Sequence, residues 1–193
     1  MKVTPAWLAE HLDTGAGPAE ITERLTMLGL EVEGVQDRAQ GMEDFVVGRV
    51  IEAGPHPDAD RLKVCTVDAG SGAVQVVCGA PNARAGMMGV FAPVGALLPE
   101  TGQKLKKAKI RGVESNGMLM SERELGLSDE HQGIIELDPG SIPGAPAADA
   151  LGLADPVIDI AITPNRGDCL SVRGIARDLA AAGVGTLKAL DAE

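Results

Sequence analysis

The residues best suited to chemistry lie in one short stretch, residues 104–112, which reads KLKKAKIRG. Five of these nine residues are cationic and none is acidic, although the chain of 193 residues has a formal net charge of −11. Read as a β-strand, the stretch places Lys107, Lys109 and Arg111 on one face. Cations spaced by about 3.3 Å per residue can follow the successive phosphates of a nucleic acid. Lysines also keep an exposed strand edge soluble, so the stretch alone leaves both interpretations open.

Small polar residues follow the cationic stretch. Ser115 and Asn116, with Ser121 and Glu122 close behind, would place hydrogen-bonding groups where an RNA backbone or a base edge is read. A turn that caps the next strand is the alternative. Aromatic side chains are scarce, with no Tyr, two Phe and one Trp. Because a general single-strand binder stacks bases on aromatic rings, any RNA partner is expected to be recognised through its shape and its phosphates.

The net charge argues against a protein that binds nucleic acids without specificity, because such proteins usually have strongly basic surfaces. No segment is basic overall. Residues 1–39 hold 3 basic and 7 acidic residues, residues 40–151 hold 10 and 15, and residues 152–193 hold 4 and 6. Half of the positive charge of the middle segment is concentrated in the cationic stretch. With 45% hydrophobic and 23% charged residues, the composition is that of a folded protein.

No pattern in the sequence predicts a catalytic or metal site. The P-loop, the GxSxG nucleophile motif and the HExxH zinc motif are all missing from it. His56 lies in HPDAD, where Asp58 and Asp60 suggest metal ligands, but the segment fits a turn leading into a strand better. Three widely spaced cysteines, without a CxxC pair, are expected to be buried thiols rather than a metal or redox site: Cys65, Cys78 and Cys169.

The sequence predicts neither a secretory signal nor a membrane segment. Its first residues, MKVTPAWLAEHLD, include one Lys and two acids and lack the apolar run of a signal peptide. The longest uncharged stretches, residues 69–83 and 85–99, hold 15 residues each and are broken by Gly and Pro. A membrane helix needs roughly 18 apolar residues. A soluble, cytoplasmic protein without membrane contact is therefore expected.

The two ends of the chain have α/β patterns. Pro5 and Pro18 predict the starts of two helices. Alternation over residues 30–37 predicts a strand with three inward residues: Leu30, Val32 and Val35. Beyond residue 144, the pattern predicts a short helix, a strand and a final helix that ends at Gly183. The apolar stripe of that final helix is expected to include Leu170, Ile175 and Leu179.

The middle of the chain has a β pattern. Short β-rich runs separated by Gly, Pro, Asp and Asn extend from about residue 44 to GIIELD at residues 133–138. Five or so main strands in this length suit an OB-type barrel. Neither flank is long enough to bury an adequate core alone. The sequence therefore predicts an α+β, mostly β chain, in which an OB-type β-barrel (residues 40–151) is inserted into a small discontinuous α/β domain (residues 1–39 and 152–193).

Four ordered blocks in the barrel segment resemble the tRNA-binding OB module found in several tRNA synthetases and in free-standing tRNA-binding proteins. They are HPDADRLKVCTVDAG (56–70), VVCGAPN (76–82), the block at residues 94–115 and NGMLMSERELGL (116–127). The flanking segments indicate which of these families the chain resembles. MKVTPAWLAEHLDT, TERLTMLGLEVEGV and ITPNRGDCLSVRGIARDLAA resemble the N-terminal region of the bacterial phenylalanyl-tRNA synthetase β subunit. One departure is Met120, where many relatives have Cys.

The resemblance implies a non-catalytic part of a ligase that attaches phenylalanine to its tRNA. ATP and Mg²⁺ would serve the holoenzyme and not this fragment. The expected partners are phenylalanine-specific tRNA, the remainder of the β chain and a catalytic α subunit in an α2β2 assembly. Editing residues would lie beyond Glu193. Carried over residue by residue, the RNA-binding set is Lys104, Lys106, Lys107, Lys109, Arg111, Ser115, Asn116, Ser121 and Glu122.

Two other functions stay open on the sequence. A free-standing, structure-specific tRNA-binding protein would need only the barrel, and the flanking α/β pieces speak against it. A structural docking module without RNA contact would use the barrel as a spacer. The excess of acidic over basic residues at 40–151 favours that second alternative, because it opposes a polyanion beyond about one Debye length.

Overall fold

The computed structural model describes residues 1–190. They form two compact units, which we call unit 1 and unit 2. Unit 1 consists of Met1–Ala39 and the chain from Leu153 onward, and unit 2 consists of Gln40–Gly152. No helix in this described part is long and apolar enough to cross a membrane.

The elements are numbered in chain order. The first flank holds β1 (Lys2–Val3), α1 (Pro5–Ala9), β2 (Leu12–Asp13), α2 (Pro18–Met27) and β3 (Glu31–Gln36). Unit 2 holds β4 (Val46–His56), β5 (Ala59–Asp68), β6 (Ala73–Cys78), β7 (Met88–Pro93), β8 (Ala108–Ile110), β9 (Val113–Ser115), β10 (Gly117–Leu119) and α3 (Ala147–Ala150). The second flank holds β11 (Val157–Ala161), a 3₁₀ helix (Pro164–Cys169), α4 (Val172–Ala181) and β12 (Thr186–Leu187).

Unit 1 forms where the two flanks of the chain meet. β11 lies between β1 and β3, and both pairings are antiparallel. Local capping sets the start of α4, because the Ser171 hydroxyl accepts a hydrogen bond from Gly174 N at 3.0 Å. The apolar faces of the helices pack on this sheet in a core that includes Val3, Leu8, Leu12, Ile21, Leu25, Leu30, Ile158, Ile160, Ile175 and Leu179.

Two residues predicted to be buried in unit 1 are exposed. Val35 is the second-last residue of β3 and remains 49% exposed at the end of that strand. Leu170 is 65% exposed because it precedes Ser171, the N-cap of α4, and so lies outside the periodicity of the helix. Ile175 and Leu179, which lie within α4, are buried as predicted.

Unit 2 is a five-stranded antiparallel sheet in the order β10-β7-β4-β5-β6. The two edges of this sheet approach each other. Asn116 N donates a hydrogen bond to Gln75 O at 2.9 Å, and Val77 N donates to the Ser115 hydroxyl at 3.1 Å. The chain leading into β10 is thereby bonded to β6, the opposite edge. The barrel is nearly closed, and the mostly β, OB-type fold class expected from the sequence is confirmed.

One expected strand of unit 2 does not form. The sequence predicts a strand at residues 133–138, but the segment makes only scattered backbone bonds. Ile135 N donates to Met120 O and Leu137 N donates to Met88 O, each at 2.9 Å. Ile134 is buried, so the apolar residues of this segment contribute to the core without entering the sheet.

Candidate nucleic-acid interface

The cationic stretch is not one continuous strand. Lys104 lies in an isolated bridge with Leu97, and only residues from Ala108 onward enter a β-hairpin. β8 and β9 pair antiparallel, with Lys109 opposite Glu114. Arg111 and Gly112 form the two-residue turn, with φ angles of 44° and 88°, as in a type I′ turn. The chain therefore reverses directly after Ile110, and the predicted alternation does not reach Arg111. We call residues 104–115, which comprise the lysines that precede β8, β8 itself, the turn and β9, the cationic hairpin.

A turn at the end of β4 holds the tip of the cationic hairpin. His56 is buried, and its Nδ1 accepts a hydrogen bond from Asp58 N at 3.1 Å. Since Nδ1 is an acceptor, Nε2 carries the hydrogen and donates to Ile110 O at 3.1 Å. Arg111 Nη1 donates to Asp58 O at 3.1 Å. Both ring nitrogens of His56 are thus engaged, which supports the predicted turn over a metal ligand.

The cations differ in how freely they can meet a ligand. Lys107 Nζ lies 2.9 Å from a carboxylate oxygen of Glu114, and the hydrogen bond from Lys107 lowers the pKa of that carboxyl. Lys104, Lys106 and Lys109 are exposed, and none of them forms an ion pair within residues 1–190. Three lysines are therefore available to bind an anion directly.

Ser115 and Asn116 lie at the closure of the barrel. The Ser115 side chain is buried, and its hydroxyl accepts from Val77 N and donates to Gly117 O at 3.0 Å. Asn116 is half-buried and bonds to β6 through its backbone. The sequence places Ser115 among the RNA contacts, but its hydroxyl already has two partners in the chain. Its effect on a ligand would be indirect, through the shape of the surface.

Ser121 and Glu122 belong to a separate turn. Ser121 is buried, and both its backbone N and its hydroxyl donate to Glu124 Oε2, at 2.7 and 2.8 Å. Glu124 N in turn donates to the Ser121 hydroxyl at 3.4 Å, which completes the reciprocal arrangement of a capping box. Glu122 is exposed and accepts a hydrogen bond from the Ser128 hydroxyl at 2.5 Å. A carboxylate repels phosphate, so this pair is better suited to holding the turn than to binding a nucleic-acid backbone.

The cationic hairpin and the Ser121 turn border one cavity of about 380 Å³. Ile110 of β8 forms part of one wall, and Ser121 and Glu124 line another part. Apolar side chains make up much of the remainder, including Met118 and Leu119. We call this space the hairpin cavity.

Sequence reasoning missed Arg61. Arg61 lies on β5 and shares an open cleft of about 350 Å³ with Arg111. These two guanidinium groups form a second cluster of cations beside the hairpin turn, in a cleft that Asp60 also lines. Arg61 and Arg111 are fifty positions apart in the chain. Two tertiary contacts bring them together: β4 pairs with β5, and Arg111 donates a hydrogen bond to Asp58 O. No local sequence pattern predicts this proximity.

Unit 1 contains a compact charged cluster. Asp168, Cys169 and Asp178 offer ligand atoms within 4.8 Å of one another, a spacing that metal sites use. Two guanidinium groups fill this cluster, however: Arg166 and Arg177 each pair with both carboxylates. A cation would have to displace them. The cluster is therefore better described as an ion-pair network that ties the 3₁₀ helix to α4.

Titration properties agree with an ion-pair network. Hydrogen bonds from Arg166 and Arg177 lower the pKa of Asp168 to about 2. Burial alone would raise the pKa of Asp178, but the same two guanidinium groups outweigh it and lower that pKa. Burial, reinforced by Asp178, raises the pKa of the Cys169 thiol to about 11. Cys65 and Cys78 are buried too, so the prediction of buried thiols is confirmed.

Comparison with known proteins gives consistent matches. Residues 45–146 match the family described as "Putative tRNA binding domain". The chain is 61% identical over 185 residues to the phenylalanine–tRNA ligase beta subunit of Rhodospirillum rubrum, which covers 96% of this chain and 23% of that protein. It is 55% identical over 193 residues to the same subunit of Paramagnetospirillum magneticum, with 100% and 24% covered. The chain thus spans about a quarter of the length of these curated relatives.

A crystal structure of a MetRS-related protein from Pyrococcus horikoshii is 26% identical, with a TM-score of 0.39 over 52% of this chain and 85% of that one. The match to the tRNA-binding family covers more than half of the 193 residues and most of unit 2, including the cationic hairpin. The chain therefore belongs to the putative tRNA-binding domain family.

Proposed function

We propose that this chain is the N-terminal, non-catalytic tRNA-binding and assembly region of a phenylalanine–tRNA ligase beta subunit. The observation that carries the proposal is the cationic hairpin, which lies on a barrel of the tRNA-binding family in a chain 61% identical to such a subunit. In this proposal unit 2 binds tRNA, and unit 1 docks on the remainder of its own subunit.

The complete ligase would attach phenylalanine to its tRNA in the cytoplasm, with ATP and Mg²⁺ and with the catalytic site on an alpha subunit of an α2β2 assembly. No residue of the described part is assigned to ATP or Mg²⁺. The carboxylate cluster of unit 1 does not fit a divalent cation, because Arg166 and Arg177 already neutralise Asp168 and Asp178.

The RNA surface would rest on phosphate contacts. Among the four lysines of residues 104–112, Lys104, Lys106 and Lys109 have no ion-pair partner in the described residues, and Lys107 would join them once it leaves Glu114. Arg111 is held at the hairpin tip by Asp58 O. Phosphate contacts fix the position of a folded RNA and carry little sequence information, which suits recognition of tRNA by shape.

Charge reversal tests this proposal. The triple variant Lys104→Glu, Lys106→Glu and Lys109→Glu should weaken tRNA binding and reduce the slope of log K against log[salt] by about two to three units, one per lost phosphate contact. The measurement is a tRNA titration at a series of salt concentrations.

A control variant separates local contact from net charge. Arg24→Glu, Arg38→Glu and Arg49→Glu change the net charge of the chain by the same amount. All three are exposed and form no ion pair in the described part of the chain. The hairpin variant should lose far more affinity than this control. If both variants bind tRNA with equal affinity and equal salt dependence, the RNA surface is not at the hairpin.

A docking module without RNA contact is the competing function. The specific observation in its favour is that two of the five cations already have partners in the chain, Lys107 with Glu114 and Arg111 with Asp58 O. The same titration decides between the two functions, because a docking module gives no salt-dependent tRNA binding in the unmodified chain. A free-standing tRNA-binding protein would bind tRNA in the same way, and it is disfavoured by the match of the entire chain to much longer ligase subunits.

A further inference from the structure

We propose that the hairpin cavity takes one unstacked nucleobase of the bound tRNA. This inference rests on the proposed function and adds a base contact to the phosphate contacts. The hairpin cavity has a volume of about 380 Å³, at the lower end of the range for small-molecule pockets. It is lined by residues that the RNA-binding set does not include, apart from Ser121.

The cavity lies where a bound nucleic-acid strand would pass. Ile110 lines the cavity from β8, and its neighbours Lys109 and Arg111 are exposed cations. A strand alternates its side chains between two faces, so Lys109 points away from the face on which Ile110 meets the cavity. A nucleotide that crosses the hairpin edge can therefore place its phosphate on the lysine side and its base on the Ile110 side.

The walls of the cavity fit the faces of a base. Val77, Ile110, Met118, Leu119 and Ile134 supply apolar surface around it. Enzymes that extrude a base hold it between aromatic or apolar side chains, so aliphatic walls can replace the aromatic platform that this chain lacks. Met118 is half-buried and has the flexibility to adjust to a planar ligand.

The polar side chains that line the cavity are Ser121, Glu124, His131 and Gln132, and Glu124 is the one carboxylate among them that can read a base edge. Glu124 is half-buried, and its Oε2 is occupied by the backbone N and the hydroxyl of Ser121. Its other carboxylate oxygen accepts no hydrogen bond from residues 1–190. A fixed carboxylate oxygen is an acceptor for the amino group of cytosine, as in direct readout of DNA. The cavity should therefore prefer a base with an exocyclic amino group over uracil.

The first experiment uses the 193-residue chain labelled with ¹³C at its methionine methyl groups. Titration with tRNA, and separately with cytidine 5′-monophosphate and uridine 5′-monophosphate, should shift the Met118 methyl signal. Met27, which is 78% exposed in unit 1, is the internal reference and should not move. The cytidine nucleotide should cause the shift at lower concentration than the uridine nucleotide.

The second experiment uses two variants. Met118→Trp fills the cavity without changing the charge and should lower tRNA affinity about tenfold with the salt slope unchanged, because it removes a base contact and no phosphate contact. Met27→Trp is its matched control. Glu124→Gln keeps an oxygen for Ser121 but presents an amide, and it should remove the preference for the cytidine nucleotide. A thermal melt of each variant confirms that it is folded.

The outcomes distinguish the two proposals. Salt-dependent tRNA binding with an unmoved Met118 methyl and full affinity in folded Met118→Trp would overturn the base cavity and leave the phosphate surface intact. Absence of salt-dependent tRNA binding in the unmodified chain would overturn the proposed function itself. A Met118 shift that is equal for both nucleotides and unaffected by Glu124→Gln would overturn the role of the carboxylate.

Discussion

At the scale of single side chains, Ser115 is a residue of a type suited to RNA binding that has a structural role instead. Ser115 sits beside the cationic hairpin, where a hydroxyl would suit RNA, yet it is buried and bonded on both sides within the barrel. The Ser121 hydroxyl is engaged in the same way with Glu124. Both serines therefore have structural roles within unit 2.

Ser115→Ala should lower the free energy of unfolding of unit 2 by about 1–3 kcal/mol, because Val77 N loses its acceptor where water has little access. Urea unfolding measured by circular dichroism tests this. Ser71→Ala is the control, since Ser71 is exposed and its side chain makes no hydrogen bond in the described residues. The control should change stability by no more than about 0.5 kcal/mol. Equal midpoints for both variants would contradict the structural role of Ser115.

The exposure of the candidate RNA-binding lysines could be predicted from the sequence, but their contacts could not. The lysines at 104, 106, 107 and 109 are exposed, as expected for a cationic surface. Their pairing could not be foreseen, because the ion pair of Lys107 with Glu114 depends on where the chain reverses. Arg61 was missed for the same reason. Its proximity to Arg111 comes from tertiary structure alone.

At the scale of elements, the cationic hairpin is the feature that the sequence pattern obscured. Alternating residues 104–112 predict a strand, but Gly112 allows the positive φ of a tight turn and the chain turns back. The helix starts at Pro5 and Pro18 were predicted, because proline signals are local, whereas the start of α4 after Ser171 was not. The hairpin turn is formed by an Arg-Gly pair, which predicts such a turn less strongly than the usual Asn-Gly pair.

Gly112→Ala tests whether the hairpin geometry matters to binding. A side chain at a φ of 88° costs about 1–2 kcal/mol, so the turn should loosen while every charge stays in place. Amide hydrogen exchange across residues 108–115 should speed up, and tRNA affinity should fall with an unchanged salt slope. Gly34→Ala, in open space and at a negative φ, is the matched control. If hydrogen exchange at the hairpin is unaffected, the turn does not depend on this glycine.

At the scale of the whole molecule, the arrangement of unit 1 could be expected only in outline. The sequence indicates that each flank is too short for a core of its own. It does not predict that β11 inserts between β1 and β3, because local patterns do not indicate which strands pair when they are more than a hundred residues apart. The register includes a shift between Asp159 and Ile160, which only the paired strands can define.

The position of β11 between β1 and β3 leads to a prediction about how the chain folds. The core of unit 1 is built from residues of both flanks, and its central strand comes from the second flank. A chain in which residues 40–152 are replaced by a flexible Gly/Ser linker should therefore fold, whereas residues 1–39 alone should not. Trp7 is the single tryptophan and lies in unit 1, so its fluorescence reports on this unit selectively.

The linked flanks should show a cooperative urea transition in Trp7 fluorescence, and the isolated first flank should show none, because without β11 the strands β1 and β3 have no partner between them. The 193-residue chain is the reference. An Ile158→Asp variant of the linked flanks is the negative control, because it places a charge at a fully buried position of β11. Loss of the transition in the linked flanks themselves would mean that unit 1 requires unit 2 to fold, and that the barrel is not a separable insertion.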